Sequence, residues 1–159
     1  MPLPGVKVES APDGEIRVRG DIVMQGYYKD QEATAEALQD GWYATGDLGY
    51  LARDGFLILT GRKKNLIILG NGENVSPEEL EAALLRDPGV REVLVYEREH
   101  MIMAEIYPEE SRMGDDAYFQ QLLWKVNKEF PAHKRIAKMI LRREEFVKNS
   151  SMKIVRHLV

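Results

Sequence analysis

The sequence has no cysteine and only three histidines among its 159 residues. Without cysteine, the chain can form no disulfide, no cysteine nucleophile and no thiolate zinc site. The histidines, at positions 100, 133 and 157, lie too far apart in the sequence to show the spacing of metal ligands. These residues therefore predict no metal site, and the composition fits the reducing cytoplasm.

Long apolar runs and an excess of basic charge are also missing. The longest apolar run, residues 66–69, is far shorter than the ~20 residues that cross a bilayer. The first residues lack the basic and apolar regions of a signal peptide. The net charge of −4 provides no general field for attracting nucleic acid or anionic lipid. We expect a cytoplasmic protein with no nucleic-acid partner and no transmembrane segment, and peripheral contact with a membrane stays open.

The first third of the chain has the pattern of strands separated by turns. Residues 15–19 alternate polar and apolar side chains, which predicts a half-buried strand. The alanine-rich residues 31–38 predict a short helix. Two further strands, at residues 42–51 and 56–60, are connected through Asp54-Gly55, a hairpin signal. We expect this part to be β-rich, with too few strands to close a barrel.

Helices become more frequent in the remaining sequence. One predicted helix begins at Ser76 as its N-cap, with Pro77 at the first helical position and Glu79 completing a capping box. A second is predicted over residues 116–130, where apolar residues recur every four positions until a proline. Short strands are predicted at residues 66–69, 93–96, 102–107 and 139–141. The predicted fold class is therefore α+β, with short sheets and packed helices.

Four short motifs occur in a fixed order along the chain. They are YATGD at 43–47, GRKK at 61–64, GNGENVSPEELE at 70–81 and SMKIVR at 151–156. Each motif alone is weak, but the ordered set is specific. Together they resemble the C-terminal part of adenylate-forming enzymes, the superfamily of acyl-CoA synthetases, luciferases and peptide-synthetase adenylation domains. Residues 20–28 and 71–79 are most similar to AMP-forming long-chain fatty acid–CoA ligases.

The resemblance implies a particular domain organisation. Residues 1–62 correspond to the β-rich end of the large N-terminal domain, and residues 63–159 correspond to the small mobile C-terminal domain. In the family this small domain swings about a hinge, here near Lys64, between an adenylating and a thioester-forming pose. The family's phosphate loop and acyl pocket have no counterpart in the sequence. We therefore expect an excised fragment that does not activate an acid by itself.

The resemblance also assigns roles to individual residues. Asp47 matches the aspartate that accepts hydrogen bonds from the ribose hydroxyls of ATP or AMP, and Arg62 matches an arginine that reaches the nucleotide. Lys153 matches the lysine that contacts the carboxylate substrate and the α-phosphate during adenylation. The segment that lines the family's pantetheine tunnel corresponds to Gly70, Asn71 and Gly72. One departure precedes the lysine, where Met152 replaces the usual glycine.

Each of these residues also has a simpler interpretation. Asp47 fits a turn aspartate after glycine, and Arg62 with the two following lysines fits a solvated basic cluster. Lys64 fits a charged turn, and residues 70–72 fit a plain hairpin turn. Lys153 fits a solvated lysine in a frayed terminus.

The resemblance implies an acid–thiol ligase that uses ATP, CoA and Mg2+, the ion being bound mainly by the large domain. A carboxylic acid, expected to be a fatty acid, attacks the α-phosphate of ATP, and the thiol of CoA then displaces AMP. The expected partners are these small molecules and the chain's own N-terminal domain. Two alternatives stay open: a stand-alone interaction or nucleotide-binding module, and a peptide-synthetase fragment that delivers its acyl group to a carrier-protein thiol.

Overall fold

A computed structural model describes residues 3–70 and 72–156 of the chain, which divides into two compact units, Met1–Leu66 and Ile67–Val159. This division does not test the proposed assignment of residues 1–62 and 63–159 to two domains of a larger enzyme, which stays a prediction. No helix in the described ranges is long and apolar enough to cross a membrane.

The first unit is built on a five-stranded antiparallel sheet. Its elements are β1 (Lys7–Ser10), β2 (Glu15–Arg19), α1 (Gln31–Ala37), β3 (Leu38–Gln39), β4 (Trp42–Leu51) and β5 (Leu57–Arg62). The strand order is β1-β2-β4-β3, and β5 also pairs with β4. The long strand β4 therefore pairs with three others and forms the centre of the sheet.

Two hairpin turns in this unit follow from local residue chemistry. Asp40 and Gly41 both have positive φ, 51° and 78°, which is the geometry of a two-residue hairpin whose twist matches its strands. This turn joins β3 to β4 as a hairpin. The predicted turn at Asp54-Gly55 is confirmed, because Gly55 has φ +82° and Ala52 and Phe56 pair across it.

The buried part of the first unit is small. Its buried apolar side chains among the described residues are Ala11, Ile16 and Leu48. In contrast, β5 is an edge strand whose apolar residues Leu57, Ile58 and Leu59 are all exposed. The first unit thus carries more apolar surface than it buries along this edge.

The second unit places two helices and a three-stranded sheet around one core. Its elements are β6 (Ile67–Ile68), β7 (Asn74–Val75), α2 (Pro77–Leu85), β8 (Val90–Arg98), β9 (Met101–Pro108), α3 (Asp116–Glu129) and β10 (Lys138–Leu141). The sheet order is β10-β9-β8, with β8 and β9 antiparallel and β10 parallel to β9. The short strands β6 and β7 form a separate antiparallel pair.

The core of this unit follows the predicted periodicities. Helix α2 buries Leu80 and Leu84, and α3 buries Phe119, Leu122 and Val126 at helical spacing. Alternate residues of β8 and β9 complete the cluster, because every second side chain of a strand lies on the same face. The predicted α+β class and both long helices are confirmed.

One detail of the α2 start differs from the prediction. Ser76 is the N-cap residue and Pro77 the first helical residue, as expected. The hydroxyl of Ser76 donates to Glu78 Oε2 at 3.0 Å, however, and does not cap the helix backbone. Glu79 pairs with Lys134 Nζ at 2.7 Å. The predicted capping box is therefore wrong, because the Glu79 carboxylate pairs with Lys134, which lies outside this helix.

Candidate functional site

Asp47 and Arg62 face each other across the β4–β5 pair. They are register partners, and Arg62 Nε lies 2.7 Å from Asp47 Oδ1. A carboxylate accepts several hydroxyl donors, while a guanidinium offers a fixed set of donors and a permanent charge. The structure thus brings together the two residues that the sequence assigned to a nucleotide, in an arrangement that can bind a diol.

A kink in β4 sets the direction of Asp47. Gly46 has φ +71°, which glycine adopts without the steric cost that a Cβ would add. Thr45 Oγ1 accepts from the Asp47 N–H at 3.1 Å and donates to the Ile16 carbonyl at 2.8 Å. The Gly46 N–H donates to Glu15 Oε1 at 2.9 Å. These contacts explain why threonine, glycine and aspartate suit positions 45–47, independently of any ligand.

Glu15 and Lys63 form a second ionic group, which the sequence analysis missed. Lys63 Nζ contacts Glu15 Oε2 at 2.9 Å and Asp13 Oδ2 at 2.8 Å. The Glu15 side chain is only 7% exposed, so one buried carboxylate holds both the kink and the lysine. Hydrogen bonds from Asp13 and Glu15 raise the pKa of Lys63, and the bond from Lys63 lowers the pKa of Asp13. No periodicity signal marks Glu15, because its role depends on residues far away in sequence.

Lys64 differs from Lys63 in its surroundings. Both belong to a single 3₁₀ turn, Lys63–Asn65. Lys64 is exposed, and its side chain makes no hydrogen bond or ion pair with the residues that the structure describes. The hinge role assigned to Lys64 stays a prediction.

An open groove of about 670 Å³ lies in the first unit and is lined in part by Arg62. Its lining includes Arg17, Trp42, Tyr43, Arg62 and Lys64. A hydrogen bond with Tyr27 raises the pKa of the Tyr43 phenol. Among buried side-chain nitrogen and oxygen atoms in the described ranges, only Arg17 Nε lacks a hydrogen-bond partner. Aromatic faces next to cationic groups suit a flat, anionic ligand.

In the second unit, a backbone hydrogen bond joins Leu69 to Gly72 in the segment that follows β6. Gly72 has φ +82°, and its N–H donates to the Leu69 carbonyl at 2.8 Å. A Cβ built on Gly70 or Gly72 would meet no atom within 4 Å, so the space around both glycines is open. Asn71 lies outside the described residues. This geometry agrees with both interpretations of the segment, and the assignment to a pantetheine tunnel stays a prediction.

Lys153 lies on a compact loop between Val147 and Val155. Asn149 Oδ1 accepts from the Ser151 and Lys153 amides, each at 3.0 Å. The Asn149 N–H donates to the Lys153 carbonyl at 2.9 Å. The loop is therefore closed by its own hydrogen bonds, while the Lys153 side chain is exposed. The role of Lys153 in adenylation and its alternative as a solvated lysine in a frayed terminus both stay predictions.

Met152 occupies the one position in this loop that favours glycine. Its φ is +60°, in the left-handed region that side chains with a Cβ rarely adopt. Its side chain is 72% exposed, so it contributes little burial in return. Glycine, which the family resemblance predicts before the lysine, would adopt this backbone conformation without that steric cost.

No metal site is evident in the parts of the chain that the structure describes. Residues 3–70 and 72–156 contain no group of three or more histidine or acidic side chains arranged to hold an ion.

Comparison with known proteins identifies the family. Residues 64–159 match the family described as AMP-binding enzyme C-terminal domain. The chain belongs to this family. The predicted resemblance to the C-terminal part of adenylate-forming acyl-CoA ligases is confirmed.

Two curated relatives and one solved structure describe the similarity. Long-chain-fatty-acid–CoA ligase FadD15 of Mycobacterium tuberculosis is 47% identical over 94 residues, 59% of this chain and 16% of the relative. The 2-succinylbenzoate–CoA ligase of Bacillus licheniformis is 35% identical over 153 residues, 96% of this chain and 32% of the relative. The o-succinylbenzoate CoA synthetase MenE of Bacillus subtilis, solved with its acyl-adenylate intermediate, superposes with a TM-score of 0.83 at 30% identity, covering 98% of this chain and 34% of that one. The chain thus spans about a third or less of these relatives.

Proposed function

We propose that this chain is the C-terminal part of an ATP-dependent, AMP-forming acid–CoA ligase. The observation that carries the proposal is the Asp47–Arg62 pair, in register and 2.7 Å apart, in a chain whose second unit belongs to the AMP-binding enzyme C-terminal domain family. Both curated relatives are CoA ligases by name, which supports CoA over a carrier-protein thiol as acceptor.

The first half-reaction forms an acyl-adenylate. A carboxylate oxygen attacks the α-phosphorus of ATP, and the bond to the pyrophosphate leaving group breaks. Asp47 accepts hydrogen bonds from the ribose hydroxyls, and Arg62 fixes the aspartate and adds positive charge near the nucleotide. The Lys153 ammonium stabilises the charge that develops around the α-phosphate.

The second half-reaction transfers the acyl group to a thiol. The sulfur of CoA attacks the acyl carbon, and AMP leaves. The open space around the backbone of Gly70 and Gly72 allows a narrow pantetheine chain to approach, because neither glycine has a Cβ. Lys153 has no role in this step.

The change between the two half-reactions is a rotation about Lys64. Lys63 is tied to Asp13 and Glu15, so it belongs to the stationary side. Lys64 makes no such contact with the described residues, and its lysine side chain tolerates water in either pose. The proposed rotation therefore begins at the first residue after the ionic anchor.

The proposed substrate is a fatty acid, in the cytoplasm. The match to FadD15, 47% identical over 94 residues, supports a fatty acid. The 2-succinylbenzoate ligase matches nearly the whole chain. The residues that this chain shares with both relatives therefore do not determine which of the two acids is used. Acid selection would then lie in the N-terminal domain, the chain's proposed partner.

The test separates the two half-reactions in an enzyme that carries this chain. Lys153→Ala is expected to lower adenylation, measured with ATP and acid, by ~10² to 10³. Transfer from synthetic acyl-adenylate to CoA should keep its rate. Lys138→Ala, which removes another exposed lysine of the same unit, is the matched control. An equal loss in both assays would remove Lys153 from its role.

The 159-residue chain by itself distinguishes the fragment from a nucleotide-binding module. We expect no pyrophosphate exchange dependent on a fatty acid from the purified chain. AMP binding detected by calorimetry and lost in Asp47→Asn would favour the module, for which the groove with Trp42 and Arg17 offers a surface. Exchange activity in the isolated chain would contradict the fragment assignment.

A further inference from the structure

The loop that carries Lys153 is fixed at both ends to acidic side chains of the second unit. At its entry, Glu92 on β8 is buried and accepts from the Phe146 N–H at 2.9 Å. The same carboxylate pairs with Lys148 Nζ. The loop therefore leaves the domain from a charged, buried attachment point.

The exit of the loop has a second attachment point. Arg156 Nη2 lies 2.6 Å from Glu81 Oε2, and its Nη1 donates to the Val95 carbonyl at 3.2 Å. Glu81 on α2 also accepts from the Val95 N–H at 2.8 Å, through its other oxygen. Glu78, one helix turn earlier, lies 3.5 Å from the same Arg156 nitrogen. One arginine thus joins the chain after the loop to both α2 and β8.

Between the two attachments, a short ladder closes the loop. The Val155 N–H donates to the Val147 carbonyl at 2.9 Å, and Lys148 bridges to Ile154. Strained backbone such as the positive φ of Met152 persists only where surrounding contacts determine it. The two attachments and the ladder supply those contacts.

We propose that Arg156 and Glu81 are positioning residues for adenylation, which hold the loop so that Lys153 is presented in one geometry. The inference rests on the proposed function of Lys153. A lysine on a flexible four-carbon stem contributes to a transition state only if its backbone is held, since small displacements of a catalytic group lower the rate strongly.

The energetics indicate that this pair serves geometry more than overall stability. Burial raises the pKa of the Glu81 carboxyl, and the Val95 N–H and Arg156 offset that effect only in part. A buried ion pair whose desolvation exceeds its attraction adds little to folding free energy, while it still fixes an arrangement. A neutral isostere at Glu81 is therefore expected to release the loop without unfolding the unit.

The first experiment uses the 159-residue chain and hydrogen exchange measured by NMR. In Arg156→Gln and Glu81→Gln, the Asn149 and Val155 amides should exchange about 10-fold to 100-fold faster, because a charge-assisted hydrogen bond is lost. Amides of the central strand β9 should keep their rates. Arg86→Gln is the matched control, since it breaks an exposed arginine–glutamate pair at the C-terminal end of α2. Unchanged exchange in both Arg156→Gln and Glu81→Gln would overturn the proposal.

The second experiment uses an enzyme that carries this chain. Arg156→Gln should lower kcat of adenylation at least 10-fold with KM for ATP unchanged, and Arg156→Lys should restore part of the rate. Transfer from synthetic acyl-adenylate to CoA should stay at the parental rate. A change in KM alone, or an equal loss in both half-reactions, would overturn the positioning role.

Lys153→Ala in the same assays keeps the two ideas separate. If Lys153→Ala leaves adenylation intact, the proposed function of Lys153 fails, whatever Arg156 does. If Lys153→Ala abolishes adenylation while Arg156→Gln and Glu81→Gln accelerate exchange but retain full activity, the positioning role fails and the function of Lys153 stands.

Discussion

Replacing Met152 with glycine should stabilise the second unit. An L-residue in the left-handed region costs roughly 1–2 kcal/mol, and glycine removes this cost at φ +60°. Glycine adds ~0.5–1 kcal/mol of backbone entropy to the unfolded chain. Little burial is lost, since the side chain is 72% exposed. The expected net gain is about 0.5–1 kcal/mol, or ~1–4 °C in Tm for a chain of this size.

The assay can be directed to the second unit. The chain has two tryptophans, Trp42 on β4 and Trp124 on α3. In a Trp42→Phe background, urea unfolding followed by fluorescence reports on α3 alone. Met152→Ala is the control, because it shortens the side chain and keeps the Cβ that causes the strain. A Met152→Gly variant no more stable than Met152→Ala would refute the argument from φ.

Three further outcomes are expected. Lys64→Pro, in an enzyme that carries this chain, should retain acyl-adenylate formation and lose CoA transfer, because proline fixes φ at the proposed pivot. Lys64→Ala should retain both half-reactions. Transfer to CoA at the parental rate by the proline variant would place the hinge elsewhere. Glu15→Gln should destabilise the first unit by about 1 kcal/mol in urea unfolding followed through Trp42 fluorescence, since half-exposed Lys63 then keeps only Asp13 as an ionic partner among the described residues. Unchanged stability would show that the ion pairs of Lys63 do not stabilise this unit. In the folded chain the pKa of Glu81 is raised from its ordinary value of 4.5. The stability that Glu81 contributes is therefore fully present below pH 4.5 and is lost as pH rises through the folded pKa. The stability of Glu81→Gln relative to the parent should then rise with pH, and a pH-independent difference would contradict this.

Local patterns predicted much of the fold. Helices α2 and α3 and strand β8 are predicted correctly in kind, because their apolar periodicity coincides with the face that the core covers. The strand predicted over residues 42–51 coincides with β4. Strand β1 was missed, since four residues with little apolar content carry no distinct pattern. Strand β3 was missed because two residues cannot show a period.

The candidate site was predictable only where it lies in a motif. Asp47 and Arg62 were found because they lie in motifs that resemble those of adenylate-forming enzymes, and the structure brings them together. Glu15 and Glu81 were not found. Their partners Lys63 and Arg156 lie 48 and 75 residues away, so only the folded chain reveals that these carboxylates hold functional segments.

The exposed edge strand β5 has a practical consequence for handling the protein. Its open side presents backbone hydrogen-bonding groups together with the apolar side chains of Leu57, Ile58 and Leu59. Such an edge is a template for pairing with another extended chain, and the net charge of −4 does not protect it, because none of these three residues is charged. We therefore expect this edge to promote association of the purified chain at high concentration, and Ile58→Lys to raise the concentration up to which the chain remains monomeric.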